Sequence, residues 1–255
     1  MKLLLLVLLT SLVIATSHSS STAACAKVHI ISARQSTSWP GEGRMKDLSN
    51  LIKQQVPCSD SEALEYPAYG DIWRYRASVF AGDKAMLSAI ATYSSRCPDS
   101  KFVLLGYSQV SSRDMGGSTR PNEEQGAHLI GDTLCGSVVE MSFPVVLPIH
   151  HQLGAKIVAA ISMGDPTYVP CLPYDFGTSK KKGLFARINN TVCSQYDSIR
   201  RSYCDEGDKY CASGFRFGVH RKYMKKYKED AMQFVLSKIN GAQNKTDQWM
   251  DDKCG

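Results

Sequence analysis

After its first two dozen residues the chain has no run of about 20 apolar residues, the length a membrane-crossing helix needs. It also lacks a CxxC pair with a distant HxxxH partner, which removes the usual ligand spacing of a structural zinc site. Aromatic residues do not interleave with the lysines and arginines as they do on base-stacking surfaces, so nucleic acid is not an expected partner. No internal repeat is present. Acidic residues are the scarcer sign, 24 against 30 Lys and Arg, leaving a formal charge of +6. Much of the excess sits in Lys180 to Lys182 and in Arg221 to Lys228, and a solvated face is the simpler reading than a polyanion site.

The chain opens with Met1-Lys2, a predominantly apolar run from Leu3 to Ala15, and a small polar stretch ending at Ala23-Ala24. That order of basic, apolar and small residues predicts a signal peptide over residues 1–24, cleaved somewhere in 15–24, and hence secretion. The remaining 25–255 are long enough for one compact domain. All nine cysteines follow the leader, which in an exported protein predicts a disulfide framework with at least one thiol left over. Sequons at Asn189 and Asn244 predict surface N-glycans.

Four segments read as strands of a buried parallel sheet: Lys27 to Ala33, Ala63 to Tyr66, Lys101 to Leu105 and Lys156 to Met163. Helical periodicity lies between them, at Gly43 to Gln55 and Val79 to Ser95, and again from Lys222 to Ile239, where Tyr223, Tyr227, Met232, Val235 and Ile239 share a face. Strands alternating with helices predict an α/β fold, and ligands in such sheets bind beyond the carboxyl ends of the strands.

Gly106-Tyr107-Ser108-Gln109 follows directly on an apolar strand. A strand that stops at Gly-x-Ser is the setting of a nucleophile elbow, where a sharp turn exposes the hydroxyl and aims the next amide at a developing oxyanion. Serine at its free pKa is a poor nucleophile, so a histidine must accept its proton and an acid must orient that histidine. His220 is the histidine with suitable acids before it, whereas His128, His150 and His151 read as surface or packing residues. Asp205 and Asp208 lie between Cys204 and Cys211, and Asp165 ends a strand; spacing leaves the three open.

The ordered motifs Cys-x-x-x-His-Ile from Cys25, Ala33-Arg34-Gln35-Ser36-Thr37, Tyr66-Pro67-Ala68, Gly106-Tyr107-Ser108-Gln109, Met163-Gly164-Asp165-Pro166 and the Cys204 to Cys211 loop leading to His220 resemble the cutinase and acetylxylan esterase family. The resemblance implies a three-layer α/β/α sandwich with a central parallel sheet, a lidless α/β-hydrolase that cleaves carboxylic esters as a monomer without metal or cofactor. It implies Ser108 as nucleophile, His220 as base and Asp208 as its partner, with the amides of Ser36 and Gln109 forming the oxyanion hole. It also implies disulfides Cys25–Cys97 and Cys204–Cys211, with Cys171–Cys193 as a further pair and Cys58, Cys135 and Cys254 unassigned. The substrate it implies is plant cell-wall polysaccharide or polyester. Lys209-Tyr210 beside the acid and Gly164-Asp165-Pro166 resemble the acetylxylan esterase branch, while Phe215, Phe217 and Val219 would suit the greasy rim of a cutinase.

One departure stands out. The family's elbow continues Gly-Tyr-Ser-Gln-Gly, whereas here Gly126-Ala127-His128 resumes the pattern only after the polar stretch Val110 to Gln125. Excising that stretch restores the pattern, and its ends, Val (GTN) and Gln (CAG), carry the letters of intron boundaries. A translated intron is therefore expected over residues 110–125, with a real insertion as the other reading. An insertion there implies a weakened esterase, or a wall-binding or effector protein that keeps the fold.

Overall fold

In the computed structural model, described residues are 24–36, 38–69, 72–108, 125–137 and 143–243. The strands are β1 (Val28–Ala33), β2 (Ser59–Ala63), β3 (Lys101–Tyr107), β4 (Ile157–Met163), β5 (Asp175–Phe176) and β6 (Arg200–Tyr203). They form one parallel sheet in the order β2-β1-β3-β4-β6-β5. The helices are α1 (Lys46–Gln55), α2 (Ile72–Arg96), α3 (Gly126–Cys135), α4 (His151–Gly154), α5 (Phe217–His220) and α6 (Tyr223–Gln243).

Side chains of successive strand residues enter opposite faces, so β1, β3 and β4, buried on both sides, are mostly apolar, with His29, Ser32 and Ser162 as buried polar exceptions. Ile31, Phe102, Leu104 and Ala160 pack with Tyr75, Val79, Met86 and Ile90 of α2 and Leu129 and Leu134 of α3. On the other face Ile30, Val103, Leu105 and Ile161 meet Leu48 and Ile52 of α1 and Ala231, Val235 and Ile239 of α6. These two cores give the three-layer α/β/α sandwich.

The second strand lies earlier than the sequence predicts. β2 is an edge strand paired only to β1, from Val28 opposite Ser59 to Ser32 opposite Ala63, and its half-exposed Ser59-Asp60-Ser61-Glu62 carries no apolar run. β6 has no apolar signature either. Its Arg200 guanidinium lies 3.7 Å from the Tyr174 ring centre, and Arg201 sits between Phe176 and Phe234 while pairing with Asp230 at 2.7 Å. Arginine stems laid on aromatic rings supply the cover that aliphatic residues give elsewhere.

Disulfides join Cys25 to Cys97 and Cys204 to Cys211, and Cys58 is also disulfide-bonded. The Cys171–Cys193 pairing is corrected. Cys193 bonds Cys135 at the end of α3, with Cα atoms 4.7 Å apart, and Cys171 stands exposed as the thiol left over. Arg187 holds the two segments in register, its Nη1 donating to the Gly136 carbonyl at 2.5 Å. Asn189 is exposed, its Oδ1 accepting from the Thr191 amide and hydroxyl at 3.0 and 2.7 Å. Asn244 and Cys254 lie outside the described residues.

Candidate active site

The carboxyl ends of β1, β3, β4 and β6 converge on one place because parallel strands all end on the same side of the sheet. β3 delivers Ser108, one residue past its end, with the Ser108 amide donating to the Met163 carbonyl at 3.0 Å. β1 delivers Ser36, whose buried hydroxyl has no hydrogen-bond partner among the described residues. The loop after β6 delivers Asp208, and α5 delivers His220.

α3 runs beneath this point and must approach the sheet closely. A Cβ on Gly106 would overlap the Gly126 carbonyl and Ile130, and one on Gly126 would overlap the carbonyls of Ala33 and Tyr107. Bare backbone at both positions lets the helix start against the strand ends. Gln125 occupies the N-cap, fully buried, its side-chain oxygen accepting from Ser78 at 2.7 Å. Gln109 lies outside the described residues, as does the rest of the stretch up to Glu124.

The base side is the more completely bonded. His220 Nδ1 lies 2.7 Å from Asp208 Oδ2. Asp208 Oδ1 accepts the amides of Tyr210 and Cys211 at 2.7 and 3.1 Å, and Oδ2 also accepts the Tyr223 hydroxyl at 2.7 Å. The carboxylate is wholly buried, so those four donors replace its hydration. The Cys204–Cys211 bridge closes the loop that carries it. Around the imidazole, Tyr107 donates its hydroxyl to the His220 carbonyl at 2.9 Å and the Tyr210 ring packs edge-on at 4.8 Å. Gly164, at φ +75°, touches the ring so closely that a Cβ there would overlap Cε1.

His220 Nε2 faces Ser108, and the atom it meets is the Ser108 carbonyl oxygen.

Of the other acids that spacing left open, neither reaches His220. Asp205 Oδ1 accepts the Tyr227 hydroxyl at 2.7 Å and Oδ2 pairs with Lys226 at 2.7 Å. Burial raises its pKa, but the hydrogen bonds from Lys226 and Tyr227 outweigh this and hold it below the ordinary carboxylate value. Asp165 caps its own turn, accepting the Thr167 amide and hydroxyl at 2.8 and 2.7 Å, and burial pushes it up.

His128 is a packing residue, as expected: fully buried on α3, 3.1 Å from the Tyr75 hydroxyl and 3.2 Å from Asp132. His150 and His151 are exposed, and His151 starts α4. Beside His128, Arg187 pairs with Asp132 at 2.5 Å. Burial alone would raise Asp132, but the charges of His128 and Arg187 keep it below its usual value, while burial and the Asp132 charge drive Asp83 well above. The two buried acids are thus pushed in opposite directions, as expected where two like charges would otherwise share the core.

The sequence matches the family model described as Cutinase over residues 24–114 and 123–239. The match skips 115–122, inside the polar stretch after Gln109. Cutinase 11 of Verticillium dahliae is 34% identical over 221 residues, covering 85% of this chain and 70% of that protein. An acetylxylan esterase of Hypocrea jecorina is 33% identical over 223 residues, covering 85% of this chain and 68% of its own. The solved catalytic core domain of acetyl xylan esterase from Trichoderma reesei shares the fold at a TM-score of 0.72 and 33% identity, covering 84% of this chain and 99% of that one.

Proposed function

This chain belongs to the cutinase family and is a carboxylic ester hydrolase, and from that premise we propose that it deacetylates plant cell-wall polysaccharide, outside the cell, as an acetylxylan esterase. The observation that carries the reading is the convergence of Ser108, His220 and Asp208 at the carboxyl end of one parallel sheet, with relatives of that activity at about one-third identity. Ser108 Oγ attacks the ester carbonyl while His220 Nε2 takes its proton. Asp208 holds the other ring nitrogen and stabilises the imidazolium. The alcohol leaves with the proton from His220, and water then releases the acid from acyl-Ser108 by the same path. The Ser36 amide and the amide at the start of the segment after Ser108, Gln109, are the donors for the oxyanion. For attack, the Ser108 hydroxyl must be presented to Nε2, so the turn that follows Ser108 decides activity.

Cutin cleavage is the second reading, favoured by the Verticillium relative and by Phe215, which is 94% exposed on the loop between Asp208 and His220. Rates on p-nitrophenyl acetate and p-nitrophenyl hexadecanoate separate the two: the deacetylase acts on the first and barely on the second, and strong activity on the hexadecanoate overturns it. A fold-retaining wall-binding or effector protein is the reading that the stretch after Gln109 favours, and it predicts no hydrolysis of either ester. We further propose that Val110 to Gln125 is a translated intron, supported by the gap in the family match within it. A spliced transcript lacking those codons is the expected result; one that retains them overturns the idea.

A further inference from the structure

Tyr223 is the first residue of α6, three residues past His220, and its side chain is wholly buried. Its hydroxyl oxygen accepts the Asp205 amide at 2.9 Å and lies 2.7 Å from Asp208 Oδ2. An amide can only donate, so the phenol must spend its own proton on Asp208. Burial, and next the charge of Asp208, push the Tyr223 phenol far above its ordinary range, so that proton stays in place.

We infer that Tyr223 is a positioning residue for the proposed triad: it shares Asp208 Oδ2 with His220 and sets how much negative charge that oxygen offers the imidazolium. The inference rests on the esterase reading only for its kinetic consequence. Two donors on one carboxylate oxygen compete for its charge, so the Tyr223 hydroxyl weakens the hold of Asp208 on a charged His220 and keeps the ring readier to act as a base. It also fixes the carboxylate plane, since Oδ1 is tied separately to the Tyr210 and Cys211 amides.

The other groups facing this triangle are accounted for. Asp205 spends its carboxylate on Lys226, Tyr227 and Thr178. Tyr203 donates to Asp230 at 2.5 Å, Tyr107 donates to the His220 carbonyl, and Arg44 lies over the Tyr107 ring at 5.9 Å. Cys211 Sγ, 3.3 Å from the Tyr223 oxygen, is held in a disulfide and does not titrate.

The test replaces the hydroxyl in the full chain. In Tyr223→Phe the acid limb of kcat/KM on p-nitrophenyl acetate should move up by about one pH unit and kcat should fall about tenfold, with KM unchanged. Tyr227→Phe removes a hydroxyl from the same helix that bonds Asp205, and should leave that limb in place. Incorporation of 3-fluorotyrosine at position 223 keeps the shape and strengthens the donor, so it should move the limb down; this arm holds even if the phenylalanine variant folds poorly. Imidazole NMR of His220 reads the same shifts without turnover. Shifts of opposite sign in the two variants, in a chain that hydrolyses nothing, would retain the inference and sink the esterase reading. A His220 midpoint unmoved in both, or moved equally by Tyr227→Phe, overturns the inference.

Discussion

Asp208 accepts four hydrogen bonds in a disulfide-closed loop, whereas across the site Ser36 has a buried hydroxyl without a partner among the described residues and the chain after Ser108 departs from its family's pattern. One half of the site is fixed by its own bonds; the other depends on how a strand hands over to a helix. The base half therefore holds its geometry whatever follows Ser108. The nucleophile half, where His220 Nε2 meets Ser108, is where activity is won or lost. A misplacement of about 1 Å there costs on the order of 10²-fold in rate.

The largest effect expected is on the nucleophile. Ser108→Ala should lower kcat by about 10⁶-fold with no loss of thermal stability, measured on p-nitrophenyl acetate. A residual rate within tenfold of the parent would assign the chemistry elsewhere. On the base half, Gly164→Ala should displace the His220 ring, since a Cβ there has no room, and cost about 10²-fold in kcat. Should that variant keep full activity, the base half is less rigid than its bonds suggest.

Arg187→Leu tests the support of α3 under the nucleophile. Removing the cation leaves the buried Asp132 charge with His128 alone and frees the Gly136 carbonyl, which should destabilise the fold by about 3–5 kcal/mol in denaturant titration. The double variant Arg187→Leu with Asp132→Asn, which removes the buried charge left behind, should recover part of that loss.

The smallest effect concerns Asp175 on β5, behind the base half. Burial raises its pKa to about 6, against the lowering effect of the Leu172 amide that one carboxylate oxygen accepts. A raised carboxyl pKa means the folded state binds the proton more tightly, so stability falls as pH rises from the ordinary value near 4 through about 6. Asp175→Asn should gain about 1 kcal/mol at pH 7, after allowance for solvent screening, and nothing at pH 4. Its kcat should not change, which separates the rigidity of this half from its chemistry.

Much of this could be read before the fold was seen, where burial writes itself into composition. β1, β3 and β4 are covered on both faces and so are mostly apolar; β2, at the edge, and β6, covered by arginine stems and rings, are not. Ser108 and His220 follow from motif and chain order, but spacing could not choose among Asp165, Asp205 and Asp208, because the choice depends on which side chains already have partners. Cys193 was misassigned for a similar reason: its partner Cys135 is 58 residues away and is brought near only when α3 packs on the sheet. Tyr223 was legible as a core-facing helix residue, and it is one. Its hydroxyl's work was not legible, since that bond runs to a loop 15 residues earlier.

The central claim is that Ser108 is the nucleophile and that the stretch after it limits the site. The direct measurement is fluorophosphonate labelling, with the adduct located by peptide mass spectrometry, on the full chain and on one lacking Val110 to Gln125. An adduct on Ser108 is expected in the shortened chain, formed about 10²-fold faster than in the full one. No adduct on Ser108 in either chain would contradict it.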